Sequence, residues 1–144
     1  MSLRMEVEEI NIIDAWMNYS KFHTRILKAM NHTLMEEYQL GMNDFYLLYF
    51  LGEADEGELQ QSQLQTLMEL SPSALSRMIV RLIKYKQLNI IEKHSLDHDK
   101  RGYAIRLTKT GKELLMQLHS TLEQKLNHSL TEEDLAHVLS LSKP

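Results

Sequence analysis

The sequence predicts a mainly α fold with a small two-stranded β-wing. Three observations carry that expectation. Glycine and proline are scarce, 5 and 2 in 144 residues, and they fall at the joints. Apolar residues recur every three or four positions through most of the chain, the period of an amphipathic helix. Between Leu88 and Thr108 this period gives way to alternation. Tyr103, Ile105 and Leu107 alternate there with Ala104, Arg106 and Thr108, the two-residue repeat of a half-buried strand.

Taken in order, the spacing predicts a first long helix from about Val7 to Tyr38, with Ile10, Ile13, Met17, Ile26, Met30 and Leu34 near one stripe. A second helix follows Gly41 and carries Phe45, Leu48, Tyr49 and Leu51, and a short third covers Gln61 to Met68. Ser71 then offers a side-chain oxygen as N-cap, and Pro72 sits at the first helical position, where its missing N–H costs nothing. A fourth helix should therefore run from there to about Tyr85. Leu88 to His94 is the expected partner of the alternating strand, and the polar, charged connection from Ser95 to Gly102 makes the projecting wing. Thr108 caps a long helix with apolar positions at Leu115, Leu118, Leu122 and Leu126. Thr131 caps a final short one, flanked by Leu130 and Leu135 as a hydrophobic staple.

Charge is divided sharply along this chain. Residues 71–112 hold ten Lys or Arg against Glu92, Asp97 and Asp99, a local balance of +7, whereas the remainder holds six basic and seventeen acidic residues. The net charge of −4 conceals the split. Such a distribution fits a polyanion-binding face on a protein that repels polyanions elsewhere. The composition, 43% hydrophobic and 25% charged, is that of one ordinary soluble domain. No cysteine is present, which excludes disulfides, a thiol nucleophile and cysteine-ligated zinc. Met1 to Glu9 has no apolar core and includes Glu6, Glu8 and Glu9, so a cytoplasmic protein without signal peptide or membrane span is expected.

The element order is that of a winged helix-turn-helix with flanking helices. Three spaced motifs then resemble the MarR family of transcriptional regulators. Ser71-Pro72-Ser73-Ala74-Leu75-Ser76-Arg77 is similar to the start of that family's recognition helix. Asp99-Lys100-Arg101 resembles its wing element, and Leu107-Thr108-Lys109-Thr110-Gly111 resembles its exit into the long dimer helix. The resemblance spans roughly Ile10 to Leu139. It implies a single domain over 1–144, with dimerisation helices at about 5–40 and 109–144 around a DNA-binding lobe at about 41–108.

Independently of that resemblance, Leu75, Met78, Ile79, Leu82 and Ile83 form the inner stripe of the fourth helix, leaving Ser73, Ser76, Arg77, Val80, Arg81 and Lys84 outside. Small hydroxyls can approach base edges, Arg77 can bond guanine in bidentate fashion or bind phosphate, and Val80 can meet a thymine methyl. Arg81 and Lys84, further along, are expected at phosphates. In the wing, Arg101 suits a narrow minor groove, Asp99 can orient its guanidinium, and Lys100 adds a phosphate contact. The bland alternative for Asp99 and Arg101 is a weak surface ion pair. Ser62 and Gln63, near the start of the third helix, suit phosphate hydrogen bonds or plain solvation.

Two departures from the family pattern stand out. Glu69 lies where the family often has glycine in the turn before the recognition helix, and a left-handed conformation there would be strained, so the turn is reshaped or the register shifted. His98 replaces a common proline in a wing about one residue shorter. The resemblance further implies a homodimer on an inverted repeat of double-stranded DNA, most often as a repressor. It also implies a small amphipathic or phenolic effector, for which Trp16, Phe22, Tyr46 and Tyr49 are the candidate lining residues. The seven histidines form no His-Glu-x-x-His motif, so no metal or cofactor is expected. No phosphate-cradling glycine loop or Gly-x-Ser-x-Gly elbow occurs, and no enzyme is expected. The remaining alternative is a winged-helix protein-interaction module, which would have no need of the basic face.

Overall fold

The structure is a computed structural model that describes residues 11–96 and 99–142, with the side chains at 99–101 outside the description. The expected helix start at Val7, together with Ile10, Asp97 and His98, thus lies outside the described residues.

Helix α1 spans Ile12–Thr33, and the Asn11 side chain caps it by accepting the Asp14 N–H at 2.9 Å. The helix continues as a π-helical turn, Leu34–Tyr38, and stops at Gln39, whose left-handed backbone (φ 56°) ends the run. Helix α2, Met42–Glu53, follows, and the Asp44 carboxylate accepts the Gly41 N–H at 2.8 Å across its first turn. Then come strand β1, Glu58–Gln60, and helix α3, Gln61–Met68. Helix α4, Pro72–Ile83, is capped as expected, with Ser71 Oγ accepting the Ala74 N–H at 3.2 Å. It is shorter than expected, because Lys86 (φ 48°) and Gln87 (φ 64°) turn the chain through left-handed backbone toward the sheet.

Strands β2, Ile91–Leu96, and β3, Asp99–Leu107, pair antiparallel and reach further toward the hairpin tip than the alternation predicts. The wing also has a third strand. Short β1 lies against the other edge of β3, with Glu58 opposite Arg106 and Gln60 opposite Ala104, so the sheet order is β1-β3-β2. Helix α5, Lys109–Ser129, and helix α6, Glu132–Ser140, complete the chain. Thr108 caps α5 through the Gly111 N–H at 3.0 Å, while its own N–H donates to the Ile90 carbonyl at 3.1 Å. A Cβ at Gly111 would collide with that same Ile90 carbonyl, which gives the Leu-Thr-x-x-Gly run a packing reason. Thr131 caps α6 through the Asp134 N–H at 3.0 Å.

The core lies under α4. Leu75, Met78, Ile79 and Leu82 meet Leu47, Leu48 and Leu51 of α2, Leu64 of α3, Ile90, Ile91 and Ile105 around the sheet, and Leu118 and Leu122 of α5. Burying a leucine-sized side chain contributes about 1.5–3 kcal/mol, so this cluster sets the position of α4. The stripe on α1 behaves differently from its expected role. Leu34 is fully buried and Ile26 and Met30 half-buried, but Ile13 and Met17 are exposed. Among the described residues no helix is long and apolar enough to cross a membrane.

Candidate nucleic-acid interface

Helix α4 is held by its inner face and leaves its outer one free. The hydroxyls of Ser73 and Ser76, the Arg77 guanidinium, the Val80 side chain, 56% exposed, and Lys84 all lie on the solvent side, as the spacing predicts. Among the described residues neither Arg77 nor Lys84 is paired with a carboxylate. Ile83, expected in the buried stripe, is half-buried at the helix end.

The start of α3 lies beside this face. Gln61 Nε2 is 3.4 Å from Ser76 Oγ, and Ser62 is exposed. Gln63 is also exposed, but its side-chain oxygen accepts the Gln60 N–H at 2.9 Å, so half of its hydrogen-bonding capacity serves the helix start. A polar cleft of about 360 Å³ joins α3 to the hairpin, lined by Gln60, Gln61, Ser62, Gln65, Leu96, Gly102 and Tyr103. Lys93 lies over the Tyr103 ring, 4.1 Å from its centroid, which steadies the hairpin stem. Asp99, Lys100 and Arg101 begin β3, so the expected wing element sits at the far end of the hairpin, and their side chains are outside the description.

Arg81 departs from its expected place among free phosphate ligands. Its Nη2 and Nη1 donate to the two oxygens of Asp44 at 2.8 and 2.9 Å. The Asp44 side chain is only 5% exposed, and the paired carboxylate raises the Arg81 pKa still further. Beside this pair, the Tyr85 hydroxyl donates to the Tyr38 carbonyl at 2.7 Å, and burial, then Tyr38 and Asp44, push its pKa up. Asp44 was absent from the expected site. Its glycine-to-aspartate spacing is legible as a cap, but nothing local signals its partner.

Glu69, in the turn between α3 and α4, adopts left-handed backbone (φ 53°, ψ 38°) without being glycine, a conformation that carries a steric cost.

The candidate effector residues do not converge within one chain. Phe22 lines a cleft of about 550 Å³ between α1 and α6, with Tyr19, Arg25, Asp134 and His137. Tyr46 lines a separate cleft of about 430 Å³ with His23, Leu27 and Met42. Trp16 stands exposed on α1, stacked on Tyr19 at 6.0 Å between centroids, and the Tyr49 hydroxyl donates to Glu53 at 3.1 Å.

Residues 29–118 match the family model described as transcriptional regulator SarA/Rot. No curated protein matches the chain significantly by sequence. Among solved structures, the chain resembles AbsC, a MarR family transcriptional regulator from Streptomyces coelicolor, with 23% identity and a TM-score of 0.71 over 94% of this chain and 93% of that one. It also resembles Sco3205, a MarR family regulator from Streptomyces coelicolor in complex with DNA, with 21% identity and a TM-score of 0.69 over 92% and 86% of the two chains. A MarR mutant from E. coli complexed with operator DNA matches at 24% identity and a TM-score of 0.66, over 90% and 91%. These likenesses establish the fold, a winged helix of MarR type. With the family model covering well over half of its length, the chain belongs to the SarA/Rot family of transcriptional regulators.

Proposed function

We propose that this regulator binds duplex DNA sequence-specifically as a homodimer, placing α4 of each protomer in the major groove of one half of an inverted repeat. The observation that carries this reading is the outer face of α4. Ser73, Ser76, Arg77, Val80 and Lys84 stand exposed on a helix whose other side is locked into the core, within a segment of local charge +7. The family match and the DNA complexes of Sco3205 and MarR support it. Ser71, at the helix start, sits where a backbone phosphate would meet the free N–H groups. Ser62 and Gln63 approach phosphates beside it, and the hairpin carries Asp99, Lys100 and Arg101 toward the adjacent minor groove.

A homodimer is supported by the exposed apolar surface that α1 and α6 leave uncovered, including Ile12, Ile13, Trp16, Leu139 and Leu141. Repression follows where the operator overlaps a promoter. An amphipathic or phenolic effector between the dimer helices and the lobe would change the spacing of the two α4 helices and release the operator. Tyr46 lines the cleft between α1 and α2 that suits it, whereas Phe22 lines the separate cleft between α1 and α6.

Selection from a random duplex library, followed by titration of the enriched sequence across salt concentrations, tests the proposal. Recovery of an inverted repeat with half-sites about one helical turn apart is expected. Arg77→Ala should cost about 1–3 kcal/mol on that sequence and relax its preference, whereas Lys84→Ala should weaken all duplexes alike and lower the salt slope by about one. No enriched motif and no affinity at low salt would instead favour a protein-interaction module.

A further inference from the structure

Arg81 projects from the flank of α4, about 80° round the axis from Ser73 and therefore between the solvent-facing and buried stripes. Its side chain is 56% exposed, yet both terminal nitrogens are committed to Asp44. Asp44 cannot follow a moving partner, because its Oδ2 also accepts the Gly41 N–H at the start of α2. A planar guanidinium gripped at two points by a carboxylate fixed in this way resists rotation. The pair thus ties the roll of α4 to α2, some distance from the hydroxyls at its other end. It also neutralises a cation that would otherwise swing toward the DNA backbone, and phosphate contacts add affinity without sequence information.

Resting on the reading of α4 as the DNA-reading helix, we infer that Asp44 is a specificity-determining positioning residue, which withholds Arg81 from phosphates and fixes the roll of α4 so that base contacts dominate.

The test compares the full-length wild type with Asp44→Asn, Arg81→Met and the double variant, each titrated on the selected duplex and on a scrambled one over a range of salt. Asn retains an acceptor for the Gly41 N–H, and Met retains the packing of the arginine stem. In Asp44→Asn the freed guanidinium should steepen the salt dependence by about 0.9 in slope and raise affinity for the scrambled duplex. The ratio of selected to scrambled affinity should narrow about tenfold. Arg81→Met should keep the wild-type slope, since its cation is already neutralised. The double variant should also return to that slope, with the ratio still narrowed. A slope flattened by about 0.9 in Arg81→Met would show that Arg81 already touches phosphate and overturn the inference, as would wild-type discrimination in Asp44→Asn. Should Asp44→Asn fail to fold, the Arg81→Met slope still decides. A wild type that binds neither duplex would sink the DNA reading itself, a failure distinct from binding with an Arg81-dependent slope.

Discussion

The lobe from α2 to β3 and the arm formed by α1 and α6 use the same joint and end in opposite states. In each, an aspartate at the third residue of a helix accepts the N–H at the helix start and grips an arginine from elsewhere, Asp44 with Arg81 and Asp134 with Arg25. Around Asp44 the chain is closed: Leu47, Leu48, Leu51, Leu75 and Leu82 are fully buried. Around Asp134 it is open, with a cleft of about 550 Å³ beside the pair and Leu139 and Leu141 exposed at the end of the same helix, while Ile12, Trp16 and Met17 are exposed further along α1. A capped helix and an ion pair therefore do not by themselves make a finished region. What differs is the packing around the pair: fully buried leucines of the lobe close over Asp44, whereas apolar side chains of the arm stay exposed.

The largest expected effect breaks the closed region. Gly111→Ala forces a methyl onto the Ile90 carbonyl where α5 leaves the sheet, and should cost about 3 kcal/mol in chemical denaturation. A loss under about 0.5 kcal/mol would mean that the lobe yields more easily than its packing implies. Next, Trp16→Glu should leave the melting of the lobe intact while weakening self-association by about 2 kcal/mol or more in sedimentation equilibrium. An unchanged association constant would place the partner surface elsewhere. Glu69→Gly should relieve the left-handed turn before α4 and stabilise the protein by about 0.5–1 kcal/mol, read as a higher melting temperature. The smallest effect concerns the open joint. Hydrogen bonds from Arg25, and then from Thr131, lower the Asp134 pKa from 3.8 to about 2. A pKa depressed in the folded state contributes stability that is full above the unfolded value and is lost as pH falls through the folded one. The melting gap between wild type and Asp134→Asn should thus be constant above about pH 4 and close toward pH 2. A gap that persists at pH 2 would contradict the role given to Arg25.

Much of this was legible in the sequence wherever the cause is local. Ser71, Thr108 and Thr131 cap their helices through N–H groups three residues on, so their spacing alone announces α4, α5 and α6. The outer face of α4 followed from helical period. Strand β1 was not legible, because Glu58-Leu59-Gln60 has no β-branched residue and exists through its pairing with β3 far along the chain. Arg81 looked like a free cation for the same reason, since Asp44 lies 37 residues away. Periodicity on α1 marked an apolar face but could not say that the chain itself leaves Ile13 and Trp16 uncovered. Glu69 looked unsuited to a left-handed turn, and the fold imposes that turn regardless.

The proposed roles, DNA reading by the closed lobe and pairing by the open arm, are tested most directly by weighing the complex. Sedimentation of the protein with duplexes carrying one or two copies of the selected half-site, one helical turn apart, counts chains per DNA. Two chains should bind the two-site duplex, with much weaker binding to the single site. One chain per duplex, bound equally well to either DNA, would contradict the account.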